Sequence, residues 1–555
     1  MSIKKQFQKN LLNTVGSVLR RHWGVVIILL LGVLFYGYRL GDLSPGLSCD
    51  EASVGYNAYS LLKTGKDEWG AIFPLYFKAF GEYKSPLYIY LTMLPVAVLG
   101  MNAVSVRLIS VVFALGTLTL GLLFGQKLLG NKRIGLITAV ILLFMPWYLQ
   151  IARTAFDGVV LVPFFALLGF YCFLQTQKKK SRIPIAFASL SFALTFYSNH
   201  TGKVVASLTV LICLIMLLFI SSERFLKRIT DSFSFFGVFT ILLTPFIIFT
   251  IQNPQESFAR WFEVAAPKTI FIPLIITNYL QQFSFSYLFY EGDRYSILHH
   301  VMKDGIGQLL LFSLPFLVIG LLVCIKRARF GEKPFQLLVL WLLLYPIPSA
   351  ITTGVLATRS LWGAPLFALL TAIGVEAVLS WLLSKTHQKA FGIFTLVFFT
   401  ILGIAALGEF SGFGQEYFIH YPISSFSQSG HYSDWQTGMQ DVATVIAHEQ
   451  EKYDLILLTT TETIQPYIFE LFYNQIDPTI VQKRRLQGDS VLGETIMMSN
   501  AVEVEKTRLN GGFYNQKVLF VARPEESKTV KNMRIRERIL APRGEEVFII
   551  GEIQG

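Results

Sequence analysis

The chain has 555 residues, 53% of them hydrophobic and only 15% charged, with a formal net charge of +12. Soluble globular proteins carry about 25% charged residues, so this composition excludes a chain that is soluble throughout and indicates a polytopic membrane protein. The positive charge does not point to nucleic acid, because no basic stretch is interleaved with aromatic residues; it lies in short loops between apolar runs, as the cytoplasmic loops of membrane proteins do.

Residues 1–23, beginning MSIKKQFQKN, are basic and amphipathic and carry no small-residue cleavage site, so they predict a cytoplasmic interfacial helix leading into an uncleaved first span. Apolar runs then predict about eleven spans, at 24–40, 104–125, 134–150, 158–175, 183–198, 203–220, 233–251, 306–324, 335–351, 361–383 and 390–408. Such runs are about long enough to cross some 30 Å of hydrocarbon. The basic loops GQKLLGNKR, QKKKSR, ERFLKR, KRARFGEK and SKTHQK recur after every second span and predict a cytoplasmic side. The alternate connections, 41–103, IARTAFDG, SNHTGK, 252–305 and ITTGVLATRS, then fall outside, together with everything beyond 409.

The first outer loop (41–103) contains LYIYLTMLPVAVLG, too short to span and expected to lie along the interface. In the large outer loop (252–305), Trp261, Tyr279, Tyr287 and Tyr290 suit the headgroup zone, and the two loops together predict an interfacial vestibule. From 409 to 555 the pattern changes. MQDVATVIAHEQEKY predicts an amphipathic helix, DLILLTTT a buried strand, QPYIFELFYNQ a short helix, and KVLFVAR and EEVFIIGEI two further strands. Together they predict a small extracytoplasmic α/β domain. It carries no GxGxxG or phosphate-loop motif. The four cysteines (Cys49, Cys172, Cys213, Cys324) show no metal-ligand spacing, and no metal or cofactor is expected.

The ionisable residues near spans are informative because each costs about 2.5–3.5 kcal/mol in the bilayer centre. Here they gather at the predicted outer ends: Asp50 and Glu51, Lys84, Arg107, Arg153 and Asp157, His200 and Lys203, and Arg359; Glu376 alone sits within a span. Acids and bases at one interface, with aromatics between, suit a substrate that is half lipid and half polar. Group transfer from a lipid phosphate is chemistry such a site performs: cations carry the departing phosphate, and a carboxylate accepts the proton of an attacking hydroxyl.

At these residues the chain resembles the GT-C fold, polyprenyl-phosphate-sugar-dependent glycosyltransferases, the group related to protein O-mannosyltransferases and lipid A aminoarabinose transferases. CDEASVGYNAYSL stands where that family has its first-loop acidic motif. EYKSPLYIYL is similar to its Lys-Pro-Pro-like element, with Ser85–Pro86 in place of Pro-Pro, and AVSVRLISVVFALGTLTLGLLFG to its second span. MPWYLQIARTAFDGVVLVPF is similar to its third-to-fourth connection, TRSLWGAPLFALLTAIG to a late Arg-containing start of a span, and EYFIHYPISSFSQSGHYSDWQTGMQDVATVI to the start of the tail in bacterial relatives. The resemblance implies a GT-C transmembrane domain over 24–408, a tail domain over 409–555, and a cell-membrane enzyme with no cofactor. It further implies sugar transfer from a polyprenyl-phosphate donor to a protein, lipid or glycan hydroxyl, with inversion. Asp50, Glu51 and Asp157 would be catalytic. Lys84, Arg153, Lys203 and Arg359 would contact the donor phosphate, and Tyr56, Tyr59 and His200 the sugar or acceptor.

Plainer readings stand beside these. Asp50–Glu51 and Asp157 also fit helix caps, Lys84 a snorkelling lysine, and Arg107 an anchor or a partner of a carboxylate. His299–His300 reads as loop surface. A transporter or lipid-linked sugar flippase is the competing function; it calls for charges near the midplane, where Glu376 is the main candidate. A third is a structural or receptor-like protein whose tail binds a partner.

Overall fold

The structure is a computed structural model. It describes residues 23–44, 46–176, 183–221, 223–258, 271–294, 305–385, 389–420, 435–542 and 544–553. The expected amphipathic helix before residue 23, the basic run at 178–180, Trp261, His299–His300 and most of HYPISSFSQSGHYSDW lie outside these residues.

Helix α1 (Trp23–Gly37) leads to the first loop. That loop is built of α2 (Cys49–Thr64), a hairpin of β1 (Phe77–Ala79) and β2 (Glu82–Lys84), and α3 (Pro86–Leu99). Then come α4 (Ala103–Leu123), α5 (Lys132–Phe144), α6 (Pro146–Ala152), α7 (Leu161–Thr176), α8 (Ile183–Ser198), α9 (His200–Ile215) and α10 (Phe225–Gln252). After these follow α11 (Phe271–Gln281), α12 (Leu314–Arg329), α13 (Lys333–Leu344), α14 (Ile347–Ala350), α15 (Ala357–Ser360), α16 (Ala364–Lys385) and α17 (Lys389–Gln415). A helix falls in each of the eleven apolar runs, but their number as spans is smaller by length and hydropathy. Among the described residues, five helical stretches are long and apolar enough to cross a membrane: Ala103–Lys127, His200–Ile220, Phe225–Gln252, Leu311–Arg329 and Ala357–Lys385. A sixth arises if α5 and α6 count as one span bent by 66°.

That bend has a local cause. Met145 adopts an extended conformation (φ −72°, ψ 119°) ahead of Pro146, which opens α6. A proline disfavours the helical region for the residue before it and supplies no N–H. The bend turns the chain toward the stretch that carries Arg153 and Asp157. One expectation about aromatic placement also changes. Tyr287 is 2% exposed and belongs to the core, whereas Tyr290 is exposed and Tyr279 donates to the Leu343 carbonyl at 2.8 Å.

The C-terminal region forms a five-stranded mixed sheet. Its strands are β3 (Leu455–Thr459), β4 (Ile496–Ser499), β5 (Val518–Ala522), β6 (Met533–Leu540) and β7 (Glu546–Ile553), in the order β4-β3-β5-β7-β6. Strand β3 is parallel to both neighbours, and β7 runs antiparallel to β5 and β6. The helices are α18 (Met439–Glu449), α19 (Tyr467–Tyr473), α20 (Pro478–Gln487) and α21 (Ala501–Leu509). At the C-terminal ends of the parallel strands, where open α/β sheets bind ligands, the Glu526 carboxylate accepts from Thr461 Oγ1 (2.6 Å), Ala501 N (3.0 Å) and Arg523 N (2.9 Å). The protein's own anion fills that crevice.

This domain is not tethered loosely. Phe469 and Phe472 of α19 share one continuous buried cluster with Ala52, Val54 and Tyr56 of α2. Arg485 of α20 pairs with the fully buried Glu68 at 2.6 Å and lies 3.7 Å from the Trp69 ring centroid. Gln482 donates to Ser60 Oγ, Thr64 Oγ1 and the Asp67 carbonyl at 2.9–3.1 Å. The tail and the first loop therefore occupy one end of the helical bundle as a single packed unit.

Candidate active site

Helix α2 begins with a capping box. Ser48 Oγ accepts from Glu51 N (3.3 Å) and Glu51 Oε2 accepts from Ser48 N (3.1 Å). Consecutive helix residues point about 100° apart, so Asp50 and Glu51 leave the same turn in different directions. Glu51 turns inward and is fully buried. It takes a two-pronged ion pair from Arg107 of α4, Nε to Oε1 and Nη2 to Oε2, both 2.8 Å, and also accepts from Ala155 N at 3.0 Å. Arg107 spends its remaining donors on the carbonyls of Leu40 (3.1 Å) and Gly46 (2.6 Å). This pair ties together α1's exit, the start of α2, α4 and the 153–160 connection. Both oxygens of Glu51 are committed, and it does not reach a cavity.

Asp50 points the other way, toward Lys84 and Asp157. Lys84 comes at the end of β2, directly opposite Phe77 in the hairpin, and its side chain is 1% exposed. Its ammonium bonds Asp50 Oδ1 and, at 3.0 Å, Asp157 Oδ1. Burial alone would lower the Lys84 pKa, but the charges of Asp157 and Asp50 outweigh it and hold the group well above its ordinary value. The two carboxylates stay more open, at 34% and 20% exposure.

Asp157 is held by strained backbone. Its φ is +39° and that of Gly158 is +74°. A Cβ at residue 158 would lie 2.7 Å from Tyr88 Cβ and 2.9 Å from the Ser198 carbonyl, so both space and conformation require glycine. Asn199 supplies the other constraint. Its Nδ2 donates to the Asp157 carbonyl (3.1 Å), while its Oδ1 accepts from Thr201 N (2.8 Å) and caps α9. One amide thereby couples Asp157 to the helix that carries His200 and Lys203. Asn199 reads in the sequence only as part of an Asn-His-Thr sequon.

Asp50 and Asp157 line a cavity of about 910 Å³ with Phe156, Asn199, His200, Lys203, Thr358 and Arg359. Val204, Ser207, Phe196, Phe246, Ile351 and Leu356 continue the lining. From His200 to Ser207 along α9 the wall runs about 10 Å at the helical rise. Arg359 is presented by the short α15, fixed by Ala357 N to Asp293 Oδ2 (2.6 Å) and Leu356 N to Ser349 Oγ (3.0 Å).

Of the expected site residues, Asp50, Asp157, His200, Lys203 and Arg359 share the cavity, and Lys84 braces its two acids. Lys84 and four others do not line it. Glu51 is consumed by Arg107. Arg153 donates to the carbonyls of Phe35 (2.6 Å), Tyr36 (3.0 Å) and Tyr38, sealing the end of α1. Tyr56 is buried and donates to the Ile476 carbonyl at 2.9 Å, and its ring neighbours Tyr59 at 6.2 Å. These tyrosines belong to the joint between first loop and tail. Glu376 is buried at the other end of the bundle, accepting from Asn131 Nδ2 (3.0 Å) and Ser380 Oγ (2.8 Å) and pairing with Arg133 at 3.5 Å, beside the connection between α4 and α5. Among the described residues no group of three or more His, Cys, Asp or Glu side chains is placed to hold a metal ion.

A family model described as dolichyl-phosphate-mannose-protein mannosyltransferase matches residues 66–284, a stretch that includes Lys84, Asp157 and Lys203. ArnT from Cupriavidus metallidurans in the apo state superposes with a TM-score of 0.55 at 13% identity, over 97% of this chain and 98% of that one. The same protein bound to undecaprenyl phosphate gives 0.55, again at 13%, over 95% and 98%. The chain has the GT-C fold. The apo oligosaccharyltransferase of Archaeoglobus fulgidus shares that GT-C architecture, with a TM-score of 0.52 at 13% identity over 95% of this chain and 74% of its own. At such identities the likeness speaks for the fold alone. No curated protein matches the chain in sequence.

Proposed function

We propose that the protein is an integral-membrane glycosyltransferase. It moves a sugar from a polyprenyl-phosphate donor to a hydroxyl acceptor at the outer face of the membrane. The observation that carries this reading is the makeup of the cavity. Two carboxylates, a lysine and an arginine line one cavity together with phenylalanine and aliphatic side chains, and its wall includes α9 and Phe246 of α10, a span that is mostly exposed on its flanks. A molecule with a charged head and a hydrocarbon tail fits such a lining. ArnT, whose fold this chain shares, has been seen with undecaprenyl phosphate.

In this mechanism the acceptor oxygen attacks the anomeric carbon as the bond from that carbon to the phosphate oxygen breaks. The electron pair leaves with the polyprenyl phosphate, and the acceptor proton passes to Asp50. A single in-line displacement inverts the anomeric configuration. Lys203 and Arg359 face the growing phosphate charge; preorganised cations stabilise the transition state more than the ground state. Lys84 holds both carboxylates in place through its ammonium, and Asp157 shares that ammonium so that Asp50 is not fully neutralised. Glu51 and Arg107 act as positioning residues. The membrane part (24–408) holds the donor and the tail (409–555) backs the first-loop helix. The basic loops support an outer position for that end of the bundle.

The test is mass spectrometry of envelope glycans from cells with the wild-type protein, without it, and with Asp50→Asn. Loss of one sugar modification in the second and third strains, with the variant expressed at normal level, supports the reading and identifies the acceptor class. Full modification with Asp50→Asn removes Asp50 as the base.

A further inference from the structure

The cations near the first loop differ in how they are partnered. Lys84 faces two carboxylates, Arg107 faces Glu51, and Arg153 faces three carbonyls. Lys203 lines the cavity, yet among the described residues no carboxylate forms an ion pair with it. Its ammonium sits over two adjoining aromatic rings instead, 4.7 Å from the Tyr76 centroid and 5.3 Å from that of Phe246. The rings are themselves braced. Tyr76 and Phe246 are 5.8 Å apart, Tyr76 lies 5.0 Å from Phe249, and Phe246 lies 4.7 Å from Phe196. Tyr76 is 4% exposed, and its buried hydroxyl has no hydrogen-bond partner among the described residues. The ring face, rather than the hydroxyl, is therefore what this tyrosine contributes.

We propose that Tyr76 and Phe246 are positioning residues, a two-ring cage that holds the Lys203 ammonium in the cavity as the cation that takes the donor's phosphate. This rests on reading the cavity as a lipid-phosphate-sugar site. A buried ammonium needs an electrostatic partner. A carboxylate would supply one but would also neutralise the lysine and compete with the incoming phosphate. The negative face of a ring attracts a cation more weakly, so it fixes the ammonium without cancelling its charge, and the lysine remains able to exchange toward a full anion. The cage also joins two separate parts of the site: Tyr76 immediately precedes the hairpin that ends in Lys84, and Phe246 belongs to α10.

The experiment measures binding of undecaprenyl phosphate, with the neutral alcohol undecaprenol as control, to the full-length protein in detergent by native mass spectrometry. Wild type is expected to prefer the phosphate and Lys203→Met to lose most of that preference. Tyr76→Phe, which keeps the ring, stays within about twofold. Tyr76→Leu and Phe246→Leu each bind the phosphate about tenfold more weakly and the alcohol unchanged. In the Lys203→Met background, Tyr76→Leu has no further effect. If Tyr76→Leu weakens both lipids equally, or still weakens phosphate binding without Lys203, the rings are ordinary packing and the cage is wrong while the donor reading stands. If wild type does not distinguish phosphate from alcohol, the donor reading itself falls and the cage with it. Phe246→Leu, on the half-buried ring, answers the same question should Tyr76→Leu not fold.

Discussion

Neighbouring acids 50 and 51 should fail in opposite ways, and Glu51→Gln is the variant that shows it. The replacement keeps the shape of the side chain but removes the charge facing Arg107, which is 0% exposed. It also sets an amide N–H₂ where donors already converge from Arg107, Ser48 and Ala155. Removing one partner of a buried ion pair costs about 3–5 kcal/mol, because the other charge is left without compensation. Domains of 150–250 residues lose about 2–4 °C of Tm per kcal/mol, so the thermal transition of the detergent-purified protein should fall by on the order of 10 °C. The double variant Glu51→Met with Arg107→Leu, which replaces the pair by apolar groups, should recover much of that loss. Asp50→Asn should behave differently. Asp50 is one-third exposed, which screens its ion pair, so the transition should move by only a few degrees while sugar transfer is lost. Equal thermal stability of Glu51→Gln and wild type, with transfer abolished, would refute the assignment of Glu51 to architecture and return it to the chemistry.

Two further outcomes follow from the same geometry. Gly158→Ala meets Tyr88 and Ser198 at under 3 Å in a backbone with φ +74°; overpacking of this kind costs about 1–3 kcal/mol, and the shift of Asp157 should lower transfer more than it lowers the thermal transition, whereas unchanged values of both would show that the turn is not constrained. Glu470 is fully buried in the tail, and burial pushes its carboxyl up to about 8 against the small opposing effect of the Asn474 hydrogen bond. The folded state then keeps a proton that the unfolded state releases above the ordinary carboxylate range. Stability should fall as pH rises from about 4.5 to 8, by up to about 1.4 kcal/mol per pH unit. Thermal melts across that window test this, with Glu470→Gln expected to flatten the slope; a flat wild-type profile would mean the carboxyl is solvated.

Much of the architecture is legible along the chain because it follows from local, additive properties. A run of apolar residues makes a helix at the same place whatever surrounds it, and eleven such runs coincide with helices. The tail's α18, β3, α19, β5 and β7 follow from short-range periodicity in the same way. What escaped is equally physical. Strand β4 (IMMS) and helix α20 (PTIVQKRRLQ) have weak patterns because much of their surface is exposed. The basic edge strand β6 is nearly all exposed and has no buried face to alternate. Tyr287 carries the composition of an interfacial aromatic and is nonetheless core.

The candidate site divides along the same line. The sequence by itself determined that acids and cations collect at one end of the bundle, since each is costly inside hydrocarbon and cheap at a helix end. It also allowed Asp50 and Glu51 to be read as a helix cap. It could not say which of them faces the cavity, since a single residue step rotates the side chain by about 100° and only the position of Arg107 on α4 decides which carboxylate is drawn inward. Nor could it separate Arg153, consumed by the carbonyls of α1, from Lys203, seated over two rings that lie 127 and 43 positions away in the chain. Those partners are brought together by packing of distant segments, and the charge that remains available to a ligand is set by them and not by the residue's own identity.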